Sequence, residues 1–361
     1  MKIVMIYEEL VTSSNNKKGH FLTGMLRELY ERGHQVIVFE TTSGKKKERV
    51  SSDIINFYSS FDIRQFSGDL EELETAGLII ADSRIEIPII ENIGRIGLSI
   101  KLLHDVSRFL DSNPESVLSG FHGILADSIS IKAAYRNTGF KNHIWVLEEA
   151  IDFRIFYPRK APLNIEKRDV LLFANEGGKR EIFQETMQVL TRGGYSVTIL
   201  GDGYGQSTRI GQMDFKGWIP YFQLPYYIAA HRFSIHLPSP EPDAMHLRFL
   251  ESFAGGIPLI SIGDNPKAYF SNNRDFVYVE DFKNLSDTLK FMTRFPVHIQ
   301  SIVSNGLRVV NRYHTCFHRL NLLEEILQSF GVDKAQIIPE NKWSWKNTDG
   351  GNELFRYRLG S

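Results

Sequence analysis

Asp243 and Glu251 stand with seven positions between them in the run Ser239-Pro240-Glu241-Pro242-Asp243-Ala244-Met245-His246-Leu247-Arg248-Phe249-Leu250-Glu251. The proline-rich start reads as a loop, and Leu247, Leu250 and Phe253 as the apolar face of a helix. That helix stops at Ala254-Gly255-Gly256, and Pro258-Leu259-Ile260-Ser261-Ile262 reads as a short strand. A loop-to-helix junction of this kind suits a phosphorylated ligand. Backbone N–H groups at a helix N-terminus take phosphate oxygens. A carboxylate one or two turns along the same helix reaches ribose hydroxyls. The plainer alternative for Glu251 is a solvated helix carboxylate, against which its apolar neighbours and the early glycine stop both weigh. Arg248 is either part of the ligand site or a simple ion-pair partner of Glu251 or Asp243.

Two glycine loops precede this motif. Asn175-Glu176-Gly177-Gly178-Lys179-Arg180 follows an apolar run, and its glycines let backbone approach a phosphate while Lys179 and Arg180 offer charge. Gly201-Asp202-Gly203-Tyr204-Gly205 is a second loop, lacking the spacing of a dinucleotide fingerprint. Alone, a glycine pair after a strand is more often a turn, and the second loop is no stronger. Their order carries the signal: both loops, then Phe215-Lys216-Gly217-Trp218-Ile219-Pro220, then Asp243 and Glu251.

The elements that position these residues repeat twice. Lys2–Tyr7 is an apolar strand, a polar loop runs through Lys18-Gly19-His20, and Phe21–Arg32 has helical spacing with Leu22, Met25, Leu26 and Tyr30 on one side. Gln35–Glu40 completes a βαβ unit and so implies a parallel sheet. Leu78–Asp82, Ser99–Leu103 with His104-Asp105 at its end, and Gly123–Asp127 read as further strands; Ile129–Tyr135 as a helix; Ile144–Leu147 as extended. Composition turns polar from Asp152 to about Arg168, the best linker. The pattern restarts with Val170–Ala174, helix Glu181–Thr191, Ser196–Leu200 and Phe233–Leu237. The fold class is α/β, as two doubly wound domains: 1–155, 165–330, and a tail over 331–361 that either packs back on the first domain or lies loose.

Composition sets outer bounds. The chain has 361 residues, is 42% hydrophobic and carries a formal net charge of −1, so no global charge points to nucleic acid. Lys17-Lys18 and Lys45-Lys46-Lys47 are solvated loop charge or a docking surface for anionic lipid. The single cysteine, Cys316, excludes an intrachain disulfide and reads as a reducing compartment. The N-terminal run is too soon polar for a signal peptide, and no apolar run approaches the roughly 20 residues of a spanning helix. The expectation is a cytoplasmic protein, peripheral to a membrane at most.

With these residues in place, the chain resembles the donor domain of GT-B glycosyltransferases, the retaining family 4 group with its acidic-x7-acidic motif above all. Within that circle it is similar to the spore-maturation (CgeB-like) group, through Arg248 with Glu251, Gly217-Trp218-Ile219-Pro220-Tyr221 and His314-Thr315-Cys316-Phe317-His318-Arg319. The likeness is good over about 170–325 and looser over 1–160. It implies two Rossmann-like domains facing across a cleft, a nucleoside-diphosphate sugar as donor substrate, and a hydroxyl acceptor (glycan, lipid-linked, protein or small molecule). Neither a cofactor nor a metal is expected, nor a nucleic-acid partner. By resemblance Glu251 binds the ribose; Met245, His246 and Leu247 offer N–H groups to the diphosphate; Gly178, Lys179, Arg180 and Gly203 line the phosphate loops. Trp218 and Ile219 flank the base. Asp243 meets the transferred sugar, with Glu241 its competitor. Gly19-His20 falls in the acceptor loop, and His104 hydrogen-bonds the sugar at the cleft unless it is a structural histidine. Glu149 precedes a linking segment around Asp152. Two rivals stay open: an epimerase or inverting transferase of the same fold, and a degenerate binding or scaffold protein.

Overall fold

The computed structural model describes residues 1–8, 17–41, 59–68, 70–105, 109–110, 118–174, 180–201, 208–217, 219–238, 247–263 and 269–333, with Lys17, Lys18, Asp105 and Thr208 described in their backbone only. The apolar runs of the first half pair into a seven-stranded parallel sheet: β1 (Lys2–Tyr7), β2 (Gln35–Glu40), β3 (Asp62–Gln65), β4 (Leu78–Asp82), β5 (Ile100–Asp105), β6 (Gly123–Ala126) and β7 (His143–Val146). Their order is β3-β2-β1-β4-β5-β6-β7. β1 is buried on both faces, as a central parallel strand must be. Ile3, Met5 and Tyr7 join one core with Leu22, Met25 and Leu26, while Val4 and Ile6 join another with Ile79, Ile90 and Ile93.

The second half repeats the plan with β8 (Arg168–Phe173), β9 (Val197–Leu200), β10 (Thr208–Ile210), β11 (Met213–Gly217), β12 (His231–His236), β13 (Leu259–Ile262) and β14 (Val277–Val279), ordered β10-β11-β9-β8-β12-β13-β14. Only the β10–β11 hairpin is antiparallel among these pairs. Strand order reverses between β1 and β4 in one sheet and between β8 and β12 in the other. Such switch points open ligand crevices beyond the strands' carboxyl ends. The principal helices are α1 (Lys17–Glu31), α2 (Ile87–Gly94), α3 (Ile129–Asn137), α4 (Arg180–Arg192), α5 (Leu247–Ala254), α6 (Leu285–Arg294), α7 (Pro296–Tyr313) and α8 (Cys316–Ser329).

Three expectations change. First, α1 begins at Lys17, so Gly19-His20 is its first turn rather than an acceptor loop; Thr23 Oγ1 donates back to Gly19 O at 2.7 Å. A helical glycine costs about 1 kcal/mol, and here burial of His20, Phe21 and Leu22 outweighs it. Second, Tyr30 is exposed, set edge-on against Phe61 at 5.5 Å, and Leu29 takes the inward position instead. Third, the chain returns to the first half through α8, ahead of the tail. Arg32, just past the end of α1, bonds Asn321 Oδ1 at 2.7 Å and pairs with Glu324 on α8. Residues 334–361 of the tail lie outside the described residues, as do Lys45-Lys46-Lys47 and the side chains of Lys17-Lys18.

The crossing depends on Gly24. A Cβ there would run into Cys316 Sγ and lie 3.1 Å from Asp152 Cβ. Gly24→Ala is expected to destabilise the protein by about 1–3 kcal/mol through overpacking, measured by urea denaturation; an unchanged midpoint would show that α1 and α8 do not pack this closely.

Candidate functional site

α5 holds the motif rigidly. All eight of its residues are buried, Ser252 Oγ bonds Ser234 Oγ of β12 at 2.9 Å, and Phe249 rests on the His236 ring with centroids 4.3 Å apart. Its glycine stop works as read: Gly256 takes φ 75°, a conformation open to glycine, and donates to Phe253 O. Glu251 is wholly buried, which disposes of the solvated-carboxylate alternative. Its Oε2 takes the Arg248 Nη1 donor, and its Oε1 lies 3.1 Å from His20 Nδ1. Arg248 is therefore Glu251's ion-pair partner, and its guanidinium also lies 5.1 Å from the Phe173 ring centroid at the end of β8. Burial pushes the Glu251 carboxyl pKa up, but the Arg248 charge and the His20 bond outweigh it and hold the group below its ordinary value. A charged carboxylate thus sits at the second switch point.

His20 comes from the first half, so this contact joins the two sheets' crevices. Its ring stacks on Tyr221 with centroids 3.7 Å apart and planes at 26°. Tyr221 closes the turn after Ile219 and Pro220; Ile219 is buried, while Trp218 lies outside the described residues. Leu247 opens α5, and its N–H, expected for the diphosphate, donates to Glu149 Oε2 at 2.9 Å. Arg180 is exposed at the start of α4. Gly178, Lys179, Gly203, Glu241, Asp243, Met245 and His246 lie outside the described residues.

Glu149 reaches α5 from a linker that is tightly stitched. Ile151 N donates to His314 O at 3.0 Å and Cys316 N to Ile151 O at 2.9 Å. Arg319 Nε donates to Glu148 O at 2.8 Å, Nη2 to Glu149 O at 3.3 Å, and Nη2 lies 3.1 Å from His314 Nδ1. The His-Thr-Cys-Phe-His-Arg segment therefore anchors the linker. Burial first, then the Arg319 charge, pushes the His314 pKa down to about 3, and burial brings His231 at the head of β12 down to about 4. Both stay neutral in the fold. Unfolded histidine protonates near pH 6.5, so the unfolded chain binds more protons as pH falls below that value. Stability is expected to be fully present above about pH 6.5 and to fall by a few kcal/mol on approach to pH 4, read as a declining urea midpoint; a flat profile from pH 7 to 4 would contradict it.

In the first half, His104 lies next to last in β5, paired with Asp82 at the end of β4. It is buried, edge-on to Tyr7 at 6.4 Å and to Phe21 at 5.9 Å. Its Nε2 comes within 2.6 Å of Asp127 Oδ1, off the line of a well-formed hydrogen bond, and the more accessible member of the pair is Asp127. Asp82 is buried and accepts from Arg84 Nη2 at 2.7 Å and Arg84 N at 2.9 Å. Burial, then Asp82 and Asp127, raises the Tyr7 hydroxyl pKa well above its usual value. Tyr7, Asp82, His104 and Asp127 thus line successive strand ends. Among the described residues no group of three or more His, Cys, Asp or Glu is placed to hold a metal ion, and no helix is long and apolar enough to cross a membrane.

Of the residues singled out from sequence, the structure sets Glu251, Arg248, Leu247 and Ile219 around the second crevice and His104 at the first. Sequence reasoning gave no site role to Tyr221, Asp82, Asp127 or Arg319, and read His20 and Glu149 as loop and linker. One signal was available: the runs Leu78–Asp82 and Gly123–Asp127 are both apolar strands ending on a lone aspartate, the arrangement of a crevice lining.

A glycosyl transferase-like family model matches residues 179–325. No curated protein matches the chain. HepE of Anabaena, solved with UDP-glucose, is 13% identical with TM-score 0.68, the match covering 91% of this chain and 100% of that one. Sucrose-phosphate synthase of Thermosynechococcus elongatus is 13% identical with TM-score 0.66, covering 92% and 100%. An alpha-glucosyltransferase solved with UDP and a 13-mer DNA is 11% identical with TM-score 0.69, covering 90% and 99%. Two doubly wound sheets with facing crevices, matched along nearly their whole length by these structures, make this a GT-B fold whose second half is glycosyl transferase-like.

Proposed function

We propose that the protein moves a sugar from a nucleoside-diphosphate sugar to a hydroxyl acceptor. The observation that carries this is Glu251: a buried, charged carboxylate on the helix after β12, at the switch point where a ribose would lie. The donor half is 165–330 and the acceptor half 1–155, with α8 lending the second half's end to the first. Diphosphate charge is met by the α5 N-terminus with Lys179 and Arg180, so no metal is called for. The anomeric C–O bond to diphosphate breaks, the acceptor oxygen bonds the same carbon, and the acceptor proton passes to the departing diphosphate. Retention, with Asp243 or Glu241 at the sugar, and membership of the spore-maturation group follow the motif resemblance. A cytoplasmic location fits a nucleotide-sugar donor, and the lysine clusters are the proposed membrane contact. HepE holds UDP-glucose and the alpha-glucosyltransferase holds UDP, which makes UDP-glucose the first probe.

A second reading has its own support. The His104–Asp127 pair, its histidine buried and its aspartate partly open, is chemistry suited to accepting a proton from an attacking hydroxyl, which would favour inversion. Thermal shift with UDP-, GDP- and dTDP-sugars tests the donor site: a rise of a few degrees with one of them, lost in Glu251→Ala, is expected. No response to any nucleotide sugar would sink the donor site and promote the scaffold alternative. The anomer released by slow donor hydrolysis decides between retention and inversion.

A further inference from the structure

Both features of the second half that would hold a nucleoside are engaged by one side chain from the first half. His20 Nδ1 lies 3.1 Å from Glu251 Oε1, and the same ring stacks on Tyr221, which closes the base-flanking turn. A flat heterocycle on an aromatic face with a polar atom on the carboxylate is the contact set a nucleoside would make there. All three side chains are buried, and the other Glu251 oxygen already takes Arg248. In this conformation no room is left for a ribose on Glu251.

We propose that His20 is a gate on the donor site, standing in the nucleoside's place and leaving when the donor enters. This rests on the nucleotide-sugar reading of the same site. The gate is built into the fold's geometry. His20 sits on the first turn of α1, which follows β1 at the first switch point, and Glu251 sits on α5 at the second, so withdrawing the histidine means moving that turn or parting the two crevices. The linker carries a parallel contact: Glu149 places its carboxylate on the Leu247 N–H that a diphosphate would use. Two negative groups do not share one backbone donor, so the nucleotide's phosphate displaces Glu149 as its ribose displaces His20. The cost of opening these contacts is subtracted from donor affinity, as for any site whose competent form is only partly populated.

The test is isothermal titration of UDP, GDP and dTDP into the wild-type chain, His20→Ala and Glu251→Gln, each first checked for an intact unfolding transition. A charge-assisted hydrogen bond is worth about a factor of ten or more, so His20→Ala is expected to bind its preferred nucleotide about tenfold tighter than wild type, and Glu251→Gln to lose most affinity. Hydrogen exchange on the wild-type protein supplies a readout without substitution: saturating nucleotide should speed exchange in the first turn of α1. If His20→Ala binds no tighter than wild type while Glu251→Gln still loses affinity, the gate is wrong and the donor site stands. Slower α1 exchange on nucleotide addition also overturns the gate. If neither wild type nor His20→Ala binds any of the three nucleotides, gate and donor site fall together.

Discussion

Arg248→Ala is expected to lower the free energy of unfolding by about 3–5 kcal/mol, the usual result of stripping one partner from a buried ion pair. Glu251 is fully buried and Arg248 nearly so, and the guanidinium lies beside Phe173. Without it the carboxylate keeps only His20, and either stays charged at high cost or takes up a proton. The pKa would then rise, since burial already pushes Glu251 upward and Arg248 is the first of the groups that oppose it. The Glu251 contribution to the variant's stability is therefore expected to recover as pH falls from the raised pKa to the ordinary carboxyl value, offsetting part of the loss set by His231 and His314. A double variant, Arg248→Met with Glu251→Met, removes both charges while keeping volume and is expected to recover most of the loss. Urea denaturation of the three proteins decides it. A loss below about 1 kcal/mol in Arg248→Ala, the range of surface pairs, would mean the pair is solvated.

Arg319→Ala is expected to cost about 2–4 kcal/mol, because hydrogen bonds from a charged donor contribute about 1.5–3 kcal/mol each and are not additive. The Arg319 guanidinium serves Glu148 O, Glu149 O, Tyr313 O and His314 Nδ1 together. Lysine has no planar fork and cannot meet four acceptors at once, so Arg319→Lys should restore less than half. The effect reaches the site by a short path. Arg319 fixes the backbone of Glu148 and Glu149, and the Glu149 side chain reaches the first N–H of α5. Limited proteolysis should accordingly cut the linker around 150–168 faster in Arg319→Ala than in wild type. Equal cutting rates with an unchanged unfolding midpoint would show that the linker is held without Arg319, by the Ile151–Thr315 bridge and the Arg27–Asp152 and Arg154–Glu28 pairs.

Much of the scaffold was legible because parallel strands buried on both faces are continuous apolar runs. Lys2–Tyr7, Gln35–Glu40 and Leu78–Asp82 have the bounds their sequences suggest. β3 was not, since Asp62-Ile63-Arg64-Gln65 is a polar edge strand with little buried on either face. The sequence pattern starts α1 only at Phe21, because glycine and the preceding lysines look like a loop, while burial against the neighbouring elements extends the helix to Lys17.

The site divides along the same line. Sequence alone determined that Glu251 sits on an apolar helix face one turn from Arg248, because 3.6 residues per turn puts positions three apart side by side. It also determined that a glycine stop ends this helix before the next strand. Only the tertiary structure decided that Glu251 is met by a residue 231 positions away, that Glu149 reaches the same helix, and that Asp127 rather than His104 is the more accessible member of its pair. Periodicity marks which face of an element leaves water. Which buried face it then meets depends on how two sheets, each folded from its own run of chain, are set against one another.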